Sequence, residues 1–209
     1  MRLLKIQKAE PSDLVGGLNA PEPQLLISLE EHFSDIPRYA ILSHRWGNPA
    51  EELKFTDVKD GITLSKGQGH EKVVGCCLQA LAEGLEYVWI DTCCIDKSSS
   101  AELSEAINSM YIWYQQAVVC YAYLEDVSFA DLNLWDPKIS CVEGSVWFKR
   151  AWTLQELVAP VALSFFAKNW EYIASKSEMA ERVPKVTNIA ISVLQDGLSS
   201  DINVAQIMS

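Results

Sequence analysis

The sequence predicts an α/β fold built on an open parallel sheet of four to five strands, and three observations lead to this prediction. Mainly apolar segments of strand length occur at 38–43, 86–91, 117–124 and 161–166. Segments with helical character lie between these runs. Polar side chains follow several of the strand ends directly, where open α/β sheets bind ligands. Alternating strands and helices imply parallel strands joined by right-handed crossovers.

The elements before the predicted core are less regular. Met1–Gln7 is typical of a short edge strand. Residues 8–37 contain several Pro and Gly residues and one apolar patch, Leu25–Leu29, which indicates an irregular or hairpin-forming excursion. We therefore divide the chain into an N-terminal strand and excursion (1–37), an α/β core (38–170) and a C-terminal helical extension (171–209). Because the chain ends abruptly at Ser209, we expect the natural protein to continue.

Three helices are predicted within the core. Glu71–Gly84 has apolar residues at helical spacing and a glycine stop. A second helix begins after Ser98, where Ser99 and Glu102 have the spacing of a capping box. A third covers Trp147–Pro160, after a polar loop from 125 to 145 that contains Trp135 and is long enough to be a lid.

Composition excludes several classes of function. The chain has 209 residues and a formal net charge of −11. Nucleic-acid and anionic-membrane surfaces favour clustered Lys and Arg, so neither is an expected partner. No apolar run approaches the roughly 20 residues that span a bilayer. The six Cys do not form a disulfide framework and no signal peptide is visible, so we expect a cytoplasmic protein.

A flavodoxin-like strand order would bring distant polar residues together. In that order ligands bind where the direction of winding changes, between the first main strand and the third. Ser43–Trp46 and the loop that leads into Trp147–Glu156 would then line one crevice, with Asp91–Asp96 beside them. The sequence therefore predicts a ligand site at the carboxyl ends of the strands.

Glu156 is the candidate on which the functional prediction depends. A helical wheel places the apolar core face on the opposite side, so the simplest interpretation is a solvated surface residue. Trp152, however, precedes Glu156 by four positions and would be its neighbour on the helix surface. An indole beside a carboxylate, away from the core face, indicates the wall of a cleft. The wheel assigns the core face to Trp147, Ala151, Leu154 and Val158.

The group His44-Arg45-Trp46 has two interpretations. It could be a polar turn in which Trp46 covers the core. It could also bind a ligand, with Arg45 on a phosphate, Trp46 stacked on a planar ring of the ligand, and His44 bonded to the ligand or holding the loop.

Asp91 and Asp96 each have two interpretations as well, one structural and one functional. Aspartate is common in turns, and Asp96 could pair with Lys97 or Arg150. Either aspartate could instead line the site and hold Arg45 or Arg150.

Two other kinds of chemistry are weakly supported. A Cys93 or Cys94 nucleophile with His44 as its base would make the protein a cysteine hydrolase, but nothing nearby indicates an oxyanion hole. The three His and six Cys lack the spacing of metal ligands, so no metal is predicted.

Four long motifs resemble the fungal heterokaryon-incompatibility (HET) domain. They occur in order at 39–47 (YAILSHRWG), 87–114, 117–127 and 147–160 (WFKRAWTLQELVAP). The resemblance implies a role in fungal self/non-self recognition and programmed cell death. That family is in turn similar to Toll/interleukin-receptor (TIR) domains, many of which cleave NAD+ by means of a Glu in a W-x-x-x-E pattern. Trp152–Glu156 matches this pattern, so the resemblance implies that Glu156 is catalytic.

A single carboxylate suits such a reaction. Breaking the ribose–nicotinamide bond develops a cation that a Glu can stabilise, and nicotinamide needs little acid assistance to leave. NAD+ would be the substrate, self-association would complete the site, and no metal would be needed. The alternative is a non-enzymatic module whose exposed Trp residues bind death-signalling partner domains. The predicted pocket consists of Ser43, His44, Arg45, Trp46, Asp91, Arg150 and Trp152.

Overall fold

The structure is a computed structural model that describes residues 1–9, 24–64, 71–128, 142–150 and 152–187. Its strands are β1 Arg2–Lys8, β2 Leu25–Glu31, β3 Ala40–His44, β4 Ile62–Leu64, β5 Tyr87–Trp89, β6 Val119–Leu124, β7 Leu163–Ala167 and β8 Tyr172–Ser175. Its α-helices are α1 Phe55–Val58, α2 Glu71–Ala82, α3 Asp91–Cys94, α4 Ser100–Gln116, α5 Thr153–Val158 and α6 Val183–Thr187, and Val146–Lys149 is a 3₁₀ helix.

The chain forms two compact units. The first unit comprises Met1–Leu42 and Trp46–Asn108, and the second comprises Ser43–Arg45 and the described part of 109–209. The α/β class is as predicted. The described residues contain eight strands instead of four to five, because β1, β2, β4 and β8 lie outside the four core runs seen in the sequence.

The sheet of the first unit is mixed, with the strand order β4-β2-β1-β5-β3. β3 and β5 are parallel, with Ala40 opposite Val88, as the crossover through α2 requires. β1 is antiparallel to both β2 and β5, and β4 is antiparallel to β2. The predicted parallel pairing is confirmed for the core strands β3 and β5, whereas the sheet of this unit as a whole is mixed, and β1 lies between β2 and β5 instead of at an edge. The hairpin-forming alternative for the N-terminal excursion is confirmed by the β1–β2 pair, in which Leu4 faces Leu29.

In the second unit β6 and β7 are parallel, with Cys120 opposite Leu163. β8 returns antiparallel to β7, with a register shift between Phe165 and Phe166. Residues 172–175 therefore form a strand within the segment predicted to be helical, and Ile173 and Ala174 of this strand are buried. α6 is the described helix of this segment, and residues 188–209 of the predicted extension lie outside the described residues.

The predicted core elements have clear physical causes. β3 and β6 are buried at every position, which explains why they are continuous apolar runs in the sequence. Gly84 ends the α2 segment with φ 75°, a conformation that favours glycine. Ser99 caps α4 by accepting a hydrogen bond from the Glu102 amide (3.3 Å), as predicted. The Glu102 carboxylate accepts from the Asp96 amide (2.8 Å) rather than closing the capping box.

Two further observations concern the described residues alone. Within them, no helix is long and apolar enough to cross a membrane. The predicted lid includes residues 129–141, and hence Trp135, which lie outside the described residues.

Candidate functional site

The predicted helix over 147–160 is broken in two. The 3₁₀ helix ends at Lys149, Arg150 has extended backbone angles (φ −91°, ψ 139°), and α5 begins at Thr153. The helical wheel assumed one continuous helix; it places Val158 in the core correctly, but its position for Glu156 is wrong. Glu156 is only 3% exposed, and not the surface residue that the wheel indicated.

The Glu156 carboxylate is held by donors from two other segments of the second unit. Ser43, at the end of β3, donates its hydroxyl to Glu156 Oε2 at 2.5 Å. The Trp147 indole N–H donates to the same hydroxyl oxygen at 2.9 Å, so the Ser43 proton is directed to the carboxylate. The Arg150 guanidinium lies 3.4 Å from Oε2. These contacts fix one carboxylate oxygen and stabilise its negative charge.

The short helix that carries Glu156 is anchored at both ends. The Thr153 hydroxyl donates to the Trp147 carbonyl (2.5 Å) at the start of α5. The buried Lys176 ammonium donates to the carbonyls of Leu157 (3.3 Å) and Pro160 (2.5 Å) at its end. The sequence did not predict Thr153 and Lys176 as positioning residues. The only signal for Lys176 was a Lys close to an apolar strand.

Burial shifts the pKa of two groups beside this helix. Desolvation lowers the pKa of the Lys176 ammonium, so the ion is less favoured there than in water. Desolvation first, and the Glu156 charge second, raises the pKa of the Cys120 thiol. The Cys120 thiol also lies 3.9 Å from the Glu156 carbonyl. The surroundings of Glu156 are therefore dry, which strengthens the electrostatic effect of its carboxylate.

The remaining candidates in the second unit lie in three different environments. His44 is 2% exposed and belongs to the buried end of β3. Arg45 is exposed and pairs with Glu125 at 3.4 Å. Trp152 is 44% exposed at the start of α5. Among all the predicted pocket residues, Ser43 and Arg150 donate hydrogen bonds to the Glu156 carboxylate.

Trp46 and Asp91 belong to the first unit and form a group of their own. The Trp46 indole N–H donates to Asp91 Oδ2 at 2.7 Å. The Lys97 ammonium lies 3.5 Å from the same oxygen and 3.6 Å from the centre of the Trp46 ring. Of the two roles predicted for Asp96, the structure shows the one in a turn. The Asp96 carboxylate accepts hydrogen bonds from the Ser98 amide (3.0 Å) and the Ser98 hydroxyl (2.6 Å).

The cysteine hydrolase alternative loses its chemical basis. Cys93 and Cys94 are both buried. Desolvation raises the pKa of Cys94 to about 12 and that of Cys93 well above its usual range. Both are therefore protonated at neutral pH, and a thiol is a poor nucleophile. Across the described ranges, His, Cys, Asp and Glu form no cluster suited to a metal ion.

Comparison with known proteins gives two matches. Residues 39–133 match the family described as heterokaryon incompatibility protein (HET). The chain is also similar to vegetative incompatibility protein HET-E-1 of Podospora anserina, with 44% identity over 171 residues. That similarity covers 81% of this chain and 12% of the relative, so the chain spans about an eighth of the relative's length. No solved structure matches the chain. The family match includes Ser43–Trp46 and Asp91 and ends before Glu156.

Proposed function

Because the chain carries a heterokaryon-incompatibility domain, we propose that it acts in fungal incompatibility as a cell-death effector. In this proposal it hydrolyses NAD+ to nicotinamide and ADP-ribose, or to a cyclic product, in the cytoplasm. Glu156 is the catalytic carboxylate. The observation that carries the proposal is the burial of this carboxylate on donors from two other segments, those of Ser43 and Arg150.

Burying a carboxylate is costly unless its charge is compensated. Glu156 is the only acidic residue among the buried residues that the structure describes. Ser43 and Arg150 stabilise one of its oxygens, and the surrounding core keeps the charge from being screened by water. A fixed, desolvated negative charge is what stabilises a developing ribosyl cation.

In the proposed reaction, the bond from the ribose carbon to the nicotinamide nitrogen breaks and its electron pair leaves with neutral nicotinamide. The Glu156 carboxylate stabilises the cation that remains. Water then attacks the ribose carbon and releases a proton, which gives ADP-ribose. Arg45, which is exposed, and Arg150 are the proposed phosphate contacts of the substrate, and Trp152 shields the reacting ring. Trp46 and Asp91 remain proposed pocket residues.

The direct test measures nicotinamide released from NAD+ by concentrated protein. Glu156→Gln keeps the side-chain volume and removes the charge, so release should fall on the order of 10²–10³-fold. Glu105→Gln, at an exposed position of α4, is the matched control and should react as the wild type does. No release from assembled wild-type protein, or equal release from Glu156→Gln, contradicts the catalytic proposal. We also propose that self-association completes the site, so release per molecule should rise with protein concentration.

A second candidate is a non-enzymatic module that binds death-signalling partner domains. The exposed indole of Trp152 favours it, since large exposed aromatic side chains are enriched at protein interfaces. The two candidates separate in a fungal cell-death assay. Cell death that survives Glu156→Gln but is lost in Trp152→Ala supports the partner-binding module. Loss of cell death in Glu156→Gln supports the enzyme whatever the effect of Trp152→Ala, because Trp152 also belongs to the proposed pocket.

A further inference from the structure

The first unit contains a cavity of about 370 Å³ beside Trp46. This volume is within the range of natural small-molecule sites. All of its lining residues belong to the first unit, in the segments 46–56 and 92–98. The cavity therefore stands independently of the contacts made by Glu156.

The walls of the cavity are mainly apolar, and its principal wall is preformed. Trp46, Pro49, Phe55 and Ile95 supply ring faces and aliphatic surface. The Trp46 indole is 54% exposed, yet it is fixed by its bond to the Asp91 carboxylate and by the cation over its ring. Fixed aromatic walls favour a flat, unsaturated ligand, because such a ligand gains stacking contacts with little loss of side-chain freedom.

The acidic groups that line the cavity are already occupied by protein donors. Glu52 accepts from the Gly47 amide at 2.5 Å and pairs with the Lys72 ammonium. Asp96 accepts a hydrogen bond from the Ser98 hydroxyl, and this bond is the largest of the effects that lower the Asp96 pKa. Glu52 thus has a cationic partner within the protein, and Asp96 has two neutral donors on one of its oxygens.

The two lysines that line the cavity, Lys54 and Lys97, differ in whether they have an ion-pair partner. Lys97 is engaged by Asp91 and by the Trp46 ring. Lys54 is exposed, and no acidic group in the described part of the chain lies within ion-pairing distance of its ammonium. The cavity therefore combines apolar aromatic walls with one uncommitted positive charge at its edge.

We propose that this cavity binds a small aromatic anion, with its ring system against Trp46 and Phe55 and its acidic group paired with Lys54. The net charge of −11 repels anions from the chain as a whole. Recognition therefore depends on the local pair with Lys54 and on apolar contact, and its electrostatic part weakens with added salt.

Two fluorescent probes separate the ring contacts from the charge contact. Anilinonaphthalene sulfonate is an aromatic anion, and phenylnaphthylamine has the same ring system without the sulfonate. Wild-type protein should bind both. Lys54→Gln should weaken binding of the sulfonate about two- to fivefold, the range for one exposed ion pair, and leave the neutral probe unchanged. Lys8→Gln, an exposed lysine of β1 that does not line the cavity, should change neither.

A second variant tests the location. Thr56 is exposed and lines the cavity, so Thr56→Trp should fill the space and abolish binding of both probes while the protein remains folded by circular dichroism. Wild-type affinity in Thr56→Trp, or equal loss of both probes in Lys54→Gln, overturns the proposal. Glu156→Gln should bind both probes normally, so the outcome does not depend on whether the protein cleaves NAD+.

Discussion

Replacing Ser43 with Ala removes a hydroxyl that serves two buried groups at once. The Trp147 indole N–H loses its acceptor, and the Glu156 carboxylate loses its 2.5 Å donor. An unpaired buried donor costs about 1–3 kcal/mol, and a hydrogen bond to a charged group contributes about 1.5–3 kcal/mol. We therefore expect Ser43→Ala to lower the free energy of unfolding by roughly 3–5 kcal/mol. For a chain of this size, that corresponds to a fall in Tm of roughly 6–20 °C.

Urea denaturation followed by circular dichroism measures this loss. Ser28→Ala, at an exposed position of β2, is the matched control and should change stability by less than about 0.5 kcal/mol. A double-mutant cycle of Ser43→Ala with Glu156→Gln should give a coupling energy of about 1.5 kcal/mol or more, because the two groups are in contact. Strict additivity, or a loss below about 1 kcal/mol for Ser43→Ala, would refute the bridging role of the hydroxyl.

Three further predictions concern groups away from Glu156. Hydrogen bonds from Tyr172 first, and then from the Ser175 amide and hydroxyl, lower the pKa of Glu178 from 4.5 to about 2. The stabilisation of the folded protein by the Glu178 carboxylate is therefore complete above pH 4.5 and is lost as the pH falls towards 2. Glu178→Gln should remove that part of the acid sensitivity when Tm is measured as a function of pH. Gly84→Ala should lower the free energy of unfolding by about 1–2 kcal/mol, because φ at this position is 75°. The cost comes from the backbone alone, since nothing lies within 4 Å of the added carbon. Gly84→Asn should lower the free energy of unfolding by less in the same denaturation assay, because Asn tolerates this conformation better than Ala. Because the five described cysteines are all buried, a thiol reagent should modify at most one of the six, Cys141, in folded protein at neutral pH, and fast labelling of a second thiol contradicts this.

The parts of the fold that were predicted correctly are those that a local pattern determines. β3 and β6 are buried at every position, so their apolar runs indicate strands without any knowledge of their neighbours. The antiparallel addition of β8 could not be predicted in this way. Its burial depends on β7, and Tyr172–Ser175 alone is too short to distinguish strand from helix.

The environment of Glu156 could not be predicted for a related reason. The extended backbone at Arg150 separates two short helices, and no proline or glycine marks that break in the sequence. A helical wheel drawn through the break loses its phase, and Glu156 was therefore assigned to the solvent face although it is buried. Ser43 and Trp147 are 104 positions apart, so their hydrogen bond follows from the fold and not from any local motif.

The contacts that fix α5 also limit the movement of the Glu156 carboxylate. A helix of six residues has little stability of its own and depends on tertiary contacts. Thr153 ties its first turn to the Trp147 carbonyl, and Lys176 ties its end to the Leu157 and Pro160 carbonyls. Lys176 is an ammonium kept in a desolvated position at a cost in free energy, which its two carbonyl contacts offset. Because backbone and carboxylate are fixed by separate contacts, Glu156 has little freedom to reorient. A charge that does not have to reorganise during a reaction stabilises a transition state most effectively, and this is the physical basis of our proposal that Glu156 is catalytic.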